Sequence, residues 1–194
     1  MSTVVVYLHG FQSSPQSEKA QQTLAYLSRH HPDIDVHIPQ LAPYPEVVKA
    51  QLLQLVGSLN GQELRFIGSS MGGFLSTWLV EQFGGKAVLI NPAVRPFELF
   101  KDYLGEHENP YTGERFTLQE AHIDQLKAMY CETLQTPSRY KVLLQTGDET
   151  LDYRQAQEKY QGGELIIEQG GDHSFQDYAR HLPDIMAFLE VTND

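Results

Sequence analysis

A serine with the sequence context of a nucleophile lies at position 70. Residues 68–72 read Gly-Ser-Ser-Met-Gly, which places Ser70 at the centre of a G-x-S-x-G pattern. A strand-like run precedes this pattern and a helical pattern follows it, so the hydroxyl is expected on a sharp turn above a sheet edge. Gly68 and Gly72 are expected because a Cβ at either place would collide with neighbouring backbone. Ser69 lacks this glycine frame, and Ser70 is therefore the predicted nucleophile.

A serine hydroxyl needs a base that accepts its proton, and His173 is the best placed of the eight histidines. It lies in the glycine-rich segment 170–175, after the last predicted strand and before the final predicted helix. Ligands of α/β sheets bind at this carboxyl edge. The other histidines are expected to be structural or at the surface. We therefore predict that His173 accepts the proton of Ser70.

An acidic side chain should hold the imidazole in the correct tautomer. Asp148 follows a predicted strand at 140–145 and is the first choice. Asp152 lies about one turn later and remains an alternative, whereas Asp172 would need a contorted loop to reach the ring of its neighbour, His173. The chain order serine, aspartate, histidine is that of α/β-hydrolases.

Two backbone amides are candidates for an oxyanion hole, which stabilises the negative oxygen of a tetrahedral intermediate. One is the N–H of Met71, directly after the serine, and the other is the N–H of Phe11 in the loop after the first strand. Gly10 is expected to let the backbone approach the reacting oxygen, and His9 to brace the loop by hydrogen bonds. A simple β-to-α turn is the alternative interpretation of this loop.

Strand-like runs alternate with helical patterns along the chain. This alternation predicts a parallel sheet covered by helices on both faces, a three-layer αβα sandwich within one domain, 1–194. The six predicted strands lie at 4–8, 34–39, 64–68, 87–90, 140–145 and 165–167. The final stretch, 175–189, is predicted to be helical, with an interruption at Pro183.

The region 92–139 contains no strand candidate and is predicted to be a small helical insertion over the carboxyl edge of the sheet. Two helical patterns in it are separated by the polar, turn-rich segment 105–113. A lid would lie in this position, so we predict a lid-like insertion. An ordinary long crossover is the alternative.

Composition excludes several classes of function. Lys and Arg number 14 against 25 Asp and Glu, a net charge of −11, which argues against a nucleic-acid partner. No apolar run approaches the roughly 20 residues of a membrane span, and the N-terminus lacks the basic residues of a signal peptide. The single cysteine, Cys131, excludes an internal disulfide. These features predict a cytoplasmic protein.

Neither a metal nor a cofactor is expected. His107-Glu108 begins like the H-E-x-x-H metal motif, but Tyr111 stands where the second histidine belongs. The chain also lacks the G-x-x-x-x-G-K-[ST] loop and the G-x-G-x-x-G turn that hold nucleotides.

Four segments together resemble the α/β-hydrolase superfamily, and the resemblance covers essentially the whole chain: 8–11, 68–73, 147–149 and 171–175. Residues 8–15 (Leu-His-Gly-Phe-Gln-Ser-Ser-Pro) and 145–154 (Gln-Thr-Gly-Asp-Glu-Thr-Leu-Asp-Tyr-Arg) are similar to the small bacterial YqiA-type esterases. The resemblance implies a reduced α/β-hydrolase fold with about six parallel strands in the order 2-1-3-4-5-6. It also implies hydrolysis of carboxylic esters by a Ser-Asp-His triad.

The sequence therefore predicts a serine esterase for small acyl groups that works through an acyl-enzyme intermediate. A small-molecule ester is the expected partner. Two other functions stay open. The same triad could cleave thioesters or other acyl compounds, or the fold could serve as a binding module without catalysis. A binding module would be expected to lack one member of the triad, and all three candidates are present.

Overall fold

A six-stranded parallel sheet forms the centre of the protein. The structure, a computed structural model, describes residues 2–192. In this range the strands are β1 (Thr3–Leu8), β2 (Asp35–His37), β3 (Glu63–Ser69), β4 (Lys86–Ile90), β5 (Gly105–Glu108), β6 (Arg115–Leu118), β7 (Tyr140–Gln145) and β8 (Glu164–Glu168). Six of them form one sheet in the order β2-β1-β3-β4-β7-β8, and every neighbouring pair in it is parallel.

The predicted order, 2-1-3-4-5-6, differs in its numbering from the observed order, because no strand was predicted between 92 and 139. The structure places the antiparallel pair β5 and β6 there. The six strands of the main sheet follow one another as the sequence predicted once this pair is set aside.

The first strand shows why the sheet must be covered on both faces. Val4 and Val6 belong to one hydrophobic core, and Val5 and Tyr7 belong to a second core on the opposite face. All four side chains are buried. Successive side chains of a strand point to opposite faces, so a strand buried on both faces needs an uninterrupted apolar run.

Seven α-helices lie on the two faces of the sheet or in the insertion within the described range: α1 (Glu18–His30), α2 (Pro45–Ser58), α3 (Met71–Phe83), α4 (Pro96–Leu99), α5 (Glu120–Lys127), α6 (Tyr153–Lys159) and α7 (Leu182–Phe188). Buried residues of α1 and α7 join the core that contains Val5. Buried residues of α2, α3, α5 and α6 join the core that contains Val4. The molecule therefore has three layers, helix on sheet on helix.

The predicted helix at 175–189 is shorter than expected. A 3-10 turn covers Tyr178–His181, and α7 begins at Leu182. Pro183 lies in the first turn of α7 and so opens this helix instead of interrupting it. Proline is accepted in a first turn because its missing N–H would have no intrahelical partner there.

The prediction that 92–139 lacks strands is wrong. Residues 105–108 and 115–118 pair as an antiparallel hairpin, and the segment 105–113, interpreted as a loop, contains its first strand. Each strand has four residues, and of the two only β6 has buried side chains, Phe116 and Leu118, which lie on one face. An alternation over only four residues is a weak signal in the sequence. An isolated two-stranded hairpin is marginally stable, and this one is stabilised by packing of Phe116 against Phe11, whose ring centroids are 5.7 Å apart.

Candidate active site

Ser70 occupies a strained turn between β3 and α3. Its backbone angles are φ 54° and ψ −116°, a region that residues other than glycine rarely adopt. The surrounding backbone holds it there: the N–H of Ser70 donates to the carbonyl of Ile90 at 3.1 Å, and its carbonyl accepts from Gly73 at 2.9 Å and from Ala93 at 3.0 Å. The end of β4 and the loop after it therefore fix the position of the serine.

Two glycines frame this turn as the sequence predicted. A Cβ at Gly68 would lie 2.3 Å from the carbonyl oxygen of Gly72, and a Cβ at Gly72 would lie 1.9 Å from the carbonyl oxygen of Leu8 in β1. A Cβ at Gly10 would lie at an ordinary contact distance, 3.6 Å from the Cβ of Ser70, and the role of Gly10 in letting the backbone approach the reacting oxygen stays a prediction. Close packing therefore requires glycine at 68 and 72, whereas Gly10 leaves room for a methyl group.

The structure brings Ser70, His173 and Asp148 together. Nε2 of His173 lies 3.0 Å from the hydroxyl oxygen of Ser70, and Nδ1 lies 2.9 Å and 3.0 Å from the two carboxylate oxygens of Asp148. A carboxylate can only accept, so Nδ1 carries the ring proton and Nε2 is left to accept from the hydroxyl. This arrangement can take a proton from the serine.

The Asp148 side chain is almost fully buried, with 2% of its surface exposed, against 24% for His173. One of its oxygens also accepts hydrogen bonds from the N–H groups of Thr150 and Leu151, both at 2.9 Å. These bonds fix the orientation of the carboxylate towards the imidazole.

The two alternative acids, Asp152 and Asp172, have hydrogen-bond partners other than the imidazole of His173. Asp152 caps the start of α6 by accepting from the N–H of Arg154 at 3.0 Å, and it pairs with the guanidinium of the same residue at 2.8 Å. Arg154 thereby lowers the pKa of Asp152. Asp172 accepts from the side-chain amide of Gln176. The geometry therefore separates Asp148 from Asp152, which the sequence left open.

Two buried amide side chains that were not predicted from the sequence hold the loop that carries His173. The Asn91 amide donates to the carbonyls of Asp172 at 2.9 Å and His173 at 3.2 Å, and its oxygen accepts from the N–H of Gln145 at 3.0 Å. The Gln145 oxygen accepts from the N–H groups of Asp172 at 3.2 Å and Gln176 at 2.8 Å. Both amides are at least 97% buried. The sequence did contain a signal for them, because a polar residue stands at the end of each of two buried strands. Gln145 is the last residue of β7, and Asn91 directly follows β4.

The two predicted amide donors belong to residues at the cavity, and their role in an oxyanion hole stays a prediction. Phe11 and Met71 line the same cavity as Ser70. Among residues 2–192, neither backbone nitrogen donates to a backbone carbonyl in a turn, a loop or a helix cap. The N-terminus of α3 directly follows the serine and adds the partial positive charge of a helix N-terminus.

His9 makes the bracing contacts that the sequence predicted. Its Nδ1 donates to the carbonyl of Gly10 at 2.7 Å, and its Nε2 accepts from the N–H of Leu41 at 2.9 Å. Burial lowers the pKa of His9, so the neutral ring is favoured, and one donor with one acceptor matches these two contacts.

A cavity of about 790 Å³ opens beside Ser70 and His173. The insertion supplies part of its wall through Pro96, Phe100 and Tyr111. The insertion thus contributes to the wall of the cavity that holds Ser70. The movement of this insertion as a lid stays a prediction.

His107, the first residue of the segment that resembles the H-E-x-x-H motif, makes contacts within the insertion. It lies in β5, donates from Nε2 to the carbonyl of Tyr103 and stacks on Phe116. In the part of the chain that the structure describes, no three acidic, histidine or cysteine side chains are grouped as they would be around a metal ion. None of the helices between residues 2 and 192 has the length and apolar character needed to cross a membrane.

Solved structures of similar fold match nearly the whole chain. A proposed hydrolase of Agrobacterium vitis S4 has a TM-score of 0.76 at 18% identity, covering 97% of this chain and 88% of its own. Mouse alpha/beta hydrolase domain-containing protein 10 has a TM-score of 0.74 at 13% identity, covering 98% and 90%. The monoacylglycerol lipase of Paleococcus ferrophilus has a TM-score of 0.68 at 14% identity, covering 99% and 97%. These similarities establish an α/β-hydrolase fold.

The resemblance to the α/β-hydrolase superfamily, which the sequence motifs indicated, is confirmed. The fold is that of the α/β-hydrolase superfamily, and a model of a YqiA-like protein family, described as the uncharacterised protein family UPF0227, matches residues 4–190. The match spans the strand that precedes the serine, the insertion and the loop that carries the histidine. This chain belongs to the family UPF0227.

Proposed function

We propose that this protein is a serine hydrolase that cleaves carboxylic esters of small acyl groups. The observation that carries the proposal is the continuous chain of hydrogen bonds from the Ser70 hydroxyl through His173 to the buried carboxylate of Asp148. A nucleophile, a base and a group that orients the base are the three parts that acyl transfer to a hydroxyl requires. The similarity to solved hydrolases and lipases supports the same reaction class.

The reaction runs in two steps. His173 takes the proton of Ser70 as the oxygen attacks the ester carbonyl, and the N–H groups of Phe11 and Met71 stabilise the negative oxygen of the tetrahedral intermediate. The intermediate collapses, and the leaving alcohol receives the proton from His173. Water then attacks the acyl-enzyme with His173 as the base, the acid leaves, and Ser70 regains its proton. Asp148 stabilises the imidazolium in both steps.

A narrow space next to the predicted oxyanion loop favours small acyl groups. A second hollow of about 30 Å³ has Phe11 and Met71 in its wall, and both residues also line the larger cavity. Leu75 and Phe116 are among the apolar residues of its wall. A volume of this order accommodates about one water molecule or methyl group, so an acyl chain directed there soon meets packed side chains.

The substrate class is tested with 4-nitrophenyl esters of increasing acyl length, from acetate to laurate. We expect the highest kcat/KM between acetate and butyrate, and a fall of about tenfold or more at laurate, because each added methylene must then displace packed side chains. Thioesters with the same acyl groups form the parallel series. A maximum at laurate would contradict the small-acyl assignment, and absence of hydrolysis across both series would contradict the proposed function.

Asn91 is expected to act on the reaction through the position of His173. Replacement by glycine, which tolerates the φ of 40° at this position, should lower kcat about 10- to 100-fold, because the carbonyls that anchor the loop lose their donor. Thr77→Ala is the matched control, since it removes a buried hydrogen bond to Tyr160 at 2.7 Å without contacting the loop. Kinetics and thermal unfolding of both variants decide the outcome: equal kcat values at similar Tm would contradict a positioning role.

A further inference from the structure

A lysine side chain lies in the wall of the cavity that holds Ser70. Lys19 is in the first turn of α1, and its ammonium donates to the carbonyl of Ser174 at 2.6 Å. Ser174 directly follows His173 in the chain, so this cation lies on the histidine side of the cavity. Burial lowers the pKa of Lys19, and the charges of Glu18 and Asp172 act in the opposite direction.

This ammonium has no carboxylate within 4.0 Å among the side chains that the structure describes. Lys86 and Lys141, in contrast, each form ion pairs at 2.7 Å or less. An ammonium group has three donors, and the carbonyl of Ser174 uses one. Because this ammonium is partly desolvated and has unused donors, an anion that enters the cavity would stabilise it by a charge-assisted hydrogen bond.

Among the lysine and arginine side chains that line this cavity in residues 2–192, Lys19 forms no ion pair within 4.0 Å, whereas Arg180 does. Arg180 pairs with Glu168, and Glu18 accepts from the amide of Gln22 at 3.2 Å. Asp177 also lines the cavity.

The N-terminus of α1 adds to the positive potential at the same wall. Ser17, the residue before the helix, also lines the cavity, and its side chain makes no capping hydrogen bond to the first turn. The helix has 13 residues, so the partial positive charge of its N-terminus lies beside the ammonium of Lys19. An anionic group would therefore meet a full and a partial positive charge at this wall, offset in part by the carboxylate of Glu18 in the same first turn.

We propose that Lys19 is a specificity-determining residue that binds a negatively charged group on the alcohol part of the ester substrate. This inference rests on the proposed function. The alcohol oxygen must lie near Nε2 of His173 to receive its proton, and the carbonyl oxygen must lie at Phe11 and Met71. Lys19 contacts the residue that follows His173, so the anion belongs to the alcohol and not to the acyl group.

The test compares 3-carboxyphenyl acetate with 3-carbamoylphenyl acetate, two esters of nearly the same shape that differ in charge. For the unaltered protein we expect kcat/KM to be about tenfold higher for the carboxylate. This factor corresponds to the contribution of one hydrogen bond to a charged group. Lys19→Met should bring the ratio close to one, mainly through KM of the charged ester. Lys19→Arg should retain most of the preference, because it keeps the charge.

Lys49→Met is the matched control. Lys49 lies on α2, where it is 4.0 Å from Glu46, and it does not line the cavity. Its loss changes the net charge of the protein by the same amount and should leave the preference intact. If Lys19 only supported the His173 loop through Ser174, Lys19→Met would lower kcat for both esters equally and leave their ratio unchanged, which would overturn the inference.

The failure of this inference can be distinguished from the failure of the proposed function. Equal hydrolysis of both esters by the unaltered protein would overturn the anion preference and leave the esterase assignment standing. Hydrolysis of neither ester would overturn both.

Discussion

Replacement of Ser70 by alanine is expected to lower kcat for ester hydrolysis by about a millionfold, the loss that follows removal of a nucleophile from a triad. In the proposed mechanism the acyl-enzyme forms on this hydroxyl, which lies 3.0 Å from Nε2 of His173, the proposed base. Alanine keeps the backbone and the Cβ, so the turn between β3 and α3 loses no packing. Steady-state kinetics with 4-nitrophenyl butyrate measure the loss, and thermal unfolding checks that the fold persists.

Ser69→Ala is the matched control for this experiment. Ser69 is the neighbouring serine, it is buried at the end of β3, and it lacks the contact with His173 that Ser70 makes. A fluorophosphonate probe, which forms a covalent bond with an activated serine, should label the unaltered protein and Ser69→Ala and leave Ser70→Ala unlabelled. Equal labelling of all three proteins, or near-normal turnover in Ser70→Ala, would show that Ser70 is not the nucleophile. An unlabelled native protein would favour the binding-module alternative.

The parts of the fold that were predictable from the sequence are those fixed by short-range sterics and by burial. The run at 4–8 predicts a strand covered on both faces because each of its side chains must find an apolar environment. The glycines at 68 and 72 predict the turn around Ser70 because their closest neighbours are backbone atoms that no side-chain rearrangement can move.

The parts that were not predictable depend on contacts between distant segments. The hairpin of β5 and β6 has four residues in each strand, and one of its inward side chains packs on Phe11 about a hundred residues earlier. Asn91 contacts the His173 loop from more than 80 positions away, so its spacing in the sequence carries no sign of that contact. The choice between Asp148 and Asp152 depended on how the intervening turn folds.

Asp148→Asn should lower kcat about 10⁴-fold, because an amide can donate to Nδ1 of His173 and so favours the tautomer whose Nε2 can no longer accept the serine proton. Asp152→Asn should leave kcat close to that of the unaltered protein. The Asp152 side chain is largely exposed, at 42%, and the asparagine can still cap α6.

The two variants form a matched pair, because each removes one negative charge from the same loop and keeps the shape of the side chain. A general effect of charge near the cavity would change kcat similarly in both, and a broken turn would lower Tm in Asp148→Asn, since its oxygen also accepts from Thr150 and Leu151. An amide oxygen preserves those two bonds, so Tm should change little while kcat falls. A larger loss of kcat in Asp152→Asn would contradict the hydrogen-bonded chain described here and transfer the role of the acid to Asp152.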